Sequence, residues 1–135
     1  MKLLLTDKPI SAEEYTDFET TIGAKLGHAF KKFYLKNNGG VPTHEYYREF
    51  TVQVFSPIKY GEWTIEEKFE TFRKQHRDKL SYLPFGHDGG GNPYLLNFMS
   101  GTIHVLYMGE KELTYVANSF EELINGLTLE MEIDA

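Results

Sequence analysis

Tyr94-Leu-Leu-Asn-Phe98-Met-Ser100-Gly101-Thr-Ile103-His-Val-Leu-Tyr107-Met-Gly109-Glu110-Lys-Glu-Leu113-Thr-Tyr-Val116 is the stretch that decides the fold. It holds three short runs rich in aliphatic and aromatic residues: Tyr94 to Phe98, Ile103 to Tyr107 and Leu113 to Val116. Ser100-Gly101 and Gly109-Glu110 supply the turns between them. Runs of this length bounded by turn residues read as strands. Strands that follow one another through tight turns pair antiparallel.

Working outward, the flanks read as helices. Ser11-Ala-Glu-Glu14 is a capping box, in which the Ser11 hydroxyl accepts from the Glu14 amide and the Glu14 carboxylate reaches back. Tyr15, Phe18 and Ile22 follow at helical spacing, so a first helix runs to about Gly23. A second covers about His28 to Lys36, with Phe30, Phe33 and Tyr34 inward and Lys31, Lys32 and Lys36 outward. Asn37-Asn38-Gly39-Gly40 ends it, because Asn and Gly tolerate the left-handed position that closes a helix. Phe50, Val52 and Val54 alternate with Thr51 and Gln53, which predicts a half-buried strand. Thr64-Ile-Glu-Glu67 is a second capping box, opening a helix with Ile65, Phe69 and Phe72 on one face. Ser119-Phe-Glu-Glu122 is a third, leading a helix through Leu123, Ile124 and Leu127. Leu129, Met131 and Ile133 alternate with acids, which predicts a final short strand. The alternating acids would discourage that edge from pairing with another chain. The fold class is therefore α+β: N-terminal helices packed on a mainly antiparallel sheet, with a C-terminal helix. With 135 residues, one domain over 1–135 is expected.

Composition removes several functions. A hydrophobic fraction of 41% with 25% charged residues is that of a folding chain. Cys is absent, so disulfides, Cys-ligated metal sites and thiol nucleophiles are excluded. No stretch approaches the roughly 18 apolar residues of a membrane span, and MKLLLTDKP is too short to be a signal core, so a cytoplasmic location is expected. The net charge is −6, and it is unevenly placed. Residues 1–109 are neutral, whereas after them Lys111 faces Glu110, Glu112, Glu121, Glu122, Glu130, Glu132 and Asp134. That balance argues against direct nucleic-acid binding, which needs a basic face. It suits a basic protein partner. A solvated acidic surface is the plain alternative.

Gly86-His-Asp-Gly-Gly-Gly-Asn92 is the conspicuous motif. It lacks the Gly-Lys-Ser/Thr of a phosphate loop and leads into a strand. No Gly-x-Ser-x-Gly elbow supplies a nucleophile for an oxyanion loop. Asp88 alone is too few carboxylates for calcium. What remains is a tight turn in which Gly takes positive φ and Asp88 or Asn92 caps backbone amides. His28, His44, His76, His87 and His104 show no metal-ligand spacing, and neither a metal nor another cofactor is expected. The pairs Glu13-Glu14, Glu66-Glu67 and Glu121-Glu122 all fall in first helical turns, where the helix dipole favours negative charge. No catalytic group is singled out. Tyr46, Tyr47, Tyr60 and Trp63 flank the predicted strand at residues 50–54 in turn-rich sequence, as interface anchors do; Trp63 as a lid on the core is the plain alternative.

Three segments in order resemble one family. They are Ile22-Gly23-Ala-Lys-Leu26 with Phe30-Lys-Lys-Phe33-Tyr34-Leu35 and Asn38-Gly39-Gly40-Val41-Pro42; Leu83-Pro84-Phe85-Gly86 with Asp88-Gly89-Gly90-Gly91-Asn92 and Tyr94; and Ser119-Phe120-Glu121-Glu122-Leu123-Ile124. Together they look like the SUKH superfamily, the Smi–Knr group of yeast cell-wall regulators and their bacterial relatives. The resemblance implies binding rather than catalysis. Bacterial members are similar to immunity proteins that neutralise a cognate toxin, often a nuclease. It also implies that Asn38, Gly39 and Gly40 form the helix-stop turn and that Asp88, Gly89, Gly91, Asn92 and Tyr94 form the loop into the central strand. The expected contacts to a basic toxin domain are then the acids Glu110, Glu112, Glu121 and Glu122 and the rings Tyr46, Tyr47 and Trp63. A small-ligand-binding domain using the Gly86–Asn92 loop, or a scaffolding and regulatory role, is the alternative.

Overall fold

The structure, a computed structural model, describes residues 1–131. In chain order the elements are β1 (Leu3–Leu4), α1 (Ala12–Ile22), α2 (His28–Lys36), β2 (Val41–Pro42), β3 (Tyr46–Tyr47), β4 (Phe50–Thr51) and β5 (Val54–Phe55). They continue with α3 (Ile65–Gln75), β6 (Tyr82–His87), β7 (Pro93–Asn97), β8 (Ile103–Val105), β9 (Thr114–Ala117) and α4 (Phe120–Gly126). β5-β6-β7-β8-β9 form one five-stranded sheet, and β1-β2 and β3-β4 are separate two-stranded ladders. All of these pairings are antiparallel. The α+β class with a C-terminal helix is as the sequence predicts.

Local chemistry sets the helix limits. Ser11 and Glu14 exchange both capping-box bonds, as do Thr64 and Glu67, and Gly23 closes α1 at φ 84°. At the third box, Ser119 Oγ accepts from the Glu122 amide, but the Glu122 carboxylate turns away to the Asn118 amide at 2.9 Å. The end of α2 also differs from expectation. Asn37 is extended at φ −144°, and the positive φ values fall on Gly39 (74°) and Gly40 (120°). Asn38 does other work. Buried to 2% exposure, its Nδ2 donates to Lys8 O and Ile58 O, both at 2.8 Å, and its Oδ1 accepts from the Ile58 amide at 2.7 Å. A Cβ on Gly39 would lie 2.8 Å from Phe55 O, so only glycine lets the turn pass β5.

The predicted strand through Phe50, Val52 and Val54 is broken in two. Phe50 and Val52 point inward, but the next buried residue is Phe55 and not Val54. The inward set slips by one residue as the chain leaves β3 and joins β6, and a one-residue slip exchanges faces. β6 itself goes unpredicted, because Pro84 and Gly86 read as breakers. A register shift between Pro84 and Gly86 takes up the irregularity. At Gly86, a Cβ would meet Val54 O at 2.5 Å, which explains the residue. The expected strand Leu129 to Ile133 is replaced by a single bridge, Thr128 to Tyr46. Thr128 Oγ1 donates to Glu130 O at 2.7 Å, a local bond that competes with strand pairing. Residues 132 and 133 of that expectation lie outside the described residues.

The core lies between the helices and the sheet. Tyr94 and Leu96 face the main cluster, which includes Phe30, Tyr34, Phe55, Phe85 and Phe120. Leu95, between them, faces Phe72 and Leu106 in a second cluster. β7 is therefore buried on both sides, which its unbroken Tyr-Leu-Leu run matches.

Two predictions follow from these contacts. Asn38→Ala would leave the buried Ile58 amide without its acceptor and take one donor each from Lys8 O and Ile58 O. The expected loss is about 3 kcal/mol in chemical denaturation, given the cost of unpaired buried groups; a loss within the error of wild type would show the clamp to be dispensable. The second concerns acid. The Lys59 ammonium (2.8 Å), the Tyr60 hydroxyl and the Ser11 amide hold the Glu14 carboxyl at about 2, below its ordinary 4.5. A depressed carboxylate stabilises the fold above its unfolded value and loses that contribution as pH falls through the folded one. The stability advantage of wild type over Glu14→Gln is therefore full above pH 4.5 and shrinks toward pH 2. Denaturation series over that range check it, and an advantage that stays constant would contradict it.

Candidate binding surface

The β6–β7 hairpin loop is built around one carboxylate. Asp88 Oδ1 accepts from the Gly90 and Asn92 amides, both at 2.9 Å, and Asp88 Oδ2 accepts from Asn92 Nδ2 at 3.0 Å. The Gly91 amide closes on Asp88 O at 3.1 Å, with Gly91 at φ 82°. Of the three loop glycines Gly91 alone takes positive φ, and Asp88 caps the amides. Tyr94 at the loop exit donates its hydroxyl to Thr51 O at 2.9 Å. Five of the family-motif residues, Asp88, Gly89, Gly91, Asn92 and Tyr94, thus build or anchor a stiff loop.

That loop organises its neighbours. Asn92 Oδ1 accepts from the Met108 amide at 2.7 Å, and Pro93 O accepts from the Leu106 amide at 3.1 Å, so the turn after β8 is tied to it. Met108 is 85% exposed and Tyr107 36%. Burial, then the charges of Asp88 and Glu49, push the Tyr107 phenol up. The Glu110 amide donates to Tyr107 O at 3.0 Å, and its side chain is exposed. Trp63 joins from the segment before α3: it borders a cavity of about 180 Å³ with Gly91, Pro93, His87, Lys68 and Phe72. Trp63 is 65% exposed and sits at φ 54°, an unusual conformation for a bulky side chain. The plain alternative of Trp63 as a lid on the core is set aside by that exposure.

The seven residues singled out in the sequence are not brought together. Trp63 borders the Asp88 loop, and Glu110 follows the turn that Asn92 ties to that loop. Tyr47 is buried: its ring packs on Gly126, where a Cβ would come within 2.6 Å, and its hydroxyl donates to Glu122 Oε1 at 3.1 Å. Glu122 is therefore engaged internally by both oxygens. Tyr46 is half-buried in β3, exchanging backbone bonds with Thr128. Glu112 is exposed at the start of β9 and Glu121 is exposed at its far end, in the first turn of α4. The four residues of β9 alone span about 13 Å. Tyr107, Met108 and Glu49 escaped sequence reading. Tyr107 reads as a strand residue, but β8 stops at Val105, and a Met between Tyr107 and Gly109 was the available signal of an exposed turn.

The arrangement offers exposed aromatic and apolar side chains, Trp63 and Met108, on or beside a loop held by hydrogen bonds. It offers no reacting pair. Among the described residues, no group of three His or carboxylate side chains is placed to hold a metal ion. Among them, no helix is long and apolar enough to cross a membrane.

The loop yields a prediction of its own. Asp88→Ala frees the Gly90 and Asn92 amides, which are exposed enough to reach water. The expected cost is about 1 kcal/mol, with faster hydrogen exchange at Gly90 and Asn92 and unchanged protection in the middle of β7. Unaltered exchange at those two amides would mean that the carboxylate does not hold the loop.

A search of curated proteins finds no matching relative. The family comparison does find one: the SMI1 / KNR4 family (SUKH-1) model matches residues 9–126, from just before α1 to the last residue of α4. That span contains the Asn38 turn, the Asp88 loop and the whole five-stranded sheet, and the chain belongs to the SMI1 / KNR4 family (SUKH-1).

Proposed function

We propose that this chain is a non-catalytic, cytoplasmic protein-binding domain that neutralises a cognate toxin by stoichiometric association. Family membership supports a domain of the immunity type. The observation that carries the reading is Trp63, held two-thirds exposed at positive φ beside Gly91 and Pro93 of the Asp88 loop. Core packing gives no reason to keep a large ring in that conformation, and Trp is the residue most often found at binding hot spots. The acidic balance of the chain, with Glu110 exposed after β8, favours a basic partner, whose approach it would accelerate. The cavity next to Trp63, at about 180 Å³, is below the ~300 Å³ at which small-molecule pockets begin, which disfavours the loop as a ligand site.

The test begins with capture from the native cell at low and high salt, followed by reconstitution with the purified toxin domain recovered. A one-to-one complex that abolishes the toxin's activity is expected. Trp63→Ala should weaken it by about thirty-fold, chiefly through faster dissociation, the equivalent of roughly 2 kcal/mol. Glu110→Lys should slow association several-fold at low salt and have little effect at high salt. Wild-type rates for both variants would remove this end of the molecule from the interface. Failure of the complex to inhibit would remove the neutralising role.

A further inference from the structure

A separate groove lies between α2, α4 and β1, with a volume of about 360 Å³. Its floor is apolar: Leu3, Phe33 and Ile124 are each only partly buried, packed on the core from one side and open to the groove on the other. Its rim is basic. His28, Lys32 and Lys36 stand at i, i+4 and i+8 on α2, one above another along the groove, over about 12 Å. Among the described residues, no carboxylate lies within 4.0 Å of either lysine ammonium, although Glu121 lines the same groove. The chain carries an excess of acids, so a stripe of unpaired bases over exposed aliphatic and aromatic surface is not what bulk composition would place there.

We propose that this groove binds a small amphiphilic anion, an apolar chain or ring system ending in a carboxylate. The carboxylate would accept hydrogen bonds from the Lys32 and Lys36 ammonium groups, which charge-assisted geometry favours. The apolar portion would cover Phe33, Leu3 and Ile124 and remove their open faces from water. The volume is that of a small-molecule pocket. Glu121, the acid in the groove, repels a carboxylate and so directs the head toward the lysines. The proposal is independent of toxin binding, since it uses none of the residues around the Asp88 loop.

The test uses the full chain and decanoate, kept below its micelle-forming concentration, with decanol and decyltrimethylammonium as neutral and cationic counterparts. Titration calorimetry and amide chemical shifts are read together. The expected result is saturable one-to-one binding of decanoate, with shift changes at Leu3, Ala29, Phe33 and Ile124, weaker binding of decanol, and none of the cation. The double variant Lys32→Glu/Lys36→Glu changes only exposed side chains, so its melting temperature without ligand should hold while its affinity for decanoate falls by roughly tenfold or more. No saturable binding, equal affinity for decanol, or shifts centred elsewhere would overturn the proposal. So would tight binding of an acidic amphipathic peptide that displaces decanoate, which would assign the groove to a protein.

Discussion

The side chain of Asn38 ties together three parts of the chain. Its amide nitrogen reaches Lys8 O and Ile58 O, its oxygen takes the Ile58 amide, and its own carbonyl accepts from the Asp7 amide at 3.1 Å. The segment before α1, the end of α2 and the link from β5 to α3 therefore meet at one buried residue. Gly39 and Gly40 bring the same turn against β5, with the Gly40 amide donating to Phe55 O at 2.9 Å and the Phe55 amide returning the bond at 2.8 Å. A buried amide bonded through both ends specifies one arrangement, because any shift leaves polar groups unpaired at a cost of about 1–3 kcal/mol each. The helical layer is thus placed on the sheet by a polar clamp, and the aromatic core fills the space that the clamp defines.

That core is dominated by rings in contact. Phe30 and Phe120 lie 4.9 Å apart between centroids, Phe33 and Phe55 4.8 Å, and Phe85 and Phe120 5.3 Å, mostly edge-on or tilted, which suits the charge distribution of aromatic faces. α2, β5, β6 and α4 all contribute, so four elements are locked through one cluster. Tyr34 is fully buried, and its hydroxyl donates to Ser56 O at 2.8 Å. Burial pushes its phenol well above the ordinary value, so it stays neutral. A frame of this kind moves little. The Asp88 loop and the turn after β8, which carries Tyr107 and Met108, are tied to it through Asn92 and Pro93.

Periodicity and caps made much of this architecture legible. α2 runs from His28 to Lys36 as predicted, and the apolar spacing of α3 places Ile65, Phe69 and Phe72 in the interior. These features depend only on neighbours along the chain. What escaped depends on neighbours in space. β6 holds Pro84 and Gly86, and only the passage of Val54 O beside Gly86 explains the glycine. The inward phase slips after Val52 because β5 pairs with β6 while β4 pairs with β3, a choice no local pattern contains. Tyr47 looked like a surface anchor because its flanks are turns, yet Gly126, 79 positions later, provides a flat seat for its ring. At the candidate surface Trp63 was visible as a residue, but its place beside Gly91 and Pro93 was not, nor was the tie from Asn92 to Met108 across sixteen positions.

The placement of charge changes what the acidic excess can do. A net charge of −6 acts at long range only as far as salt allows, about 8 Å at physiological ionic strength. Glu112 and Glu121 stand at opposite ends of β9, and Glu122 is consumed by internal bonds, so the C-terminal acids do not sum into one field. Steering must come from acids within a screening length of the contact itself. Asp88 and Glu49, whose charges both push the Tyr107 phenol up, lie in the part of the chain that is neutral by count. On α2, Lys32 and Lys36 keep a basic strip unpaired among the described residues. Local grouping, and not the overall balance, therefore decides what field each surface presents.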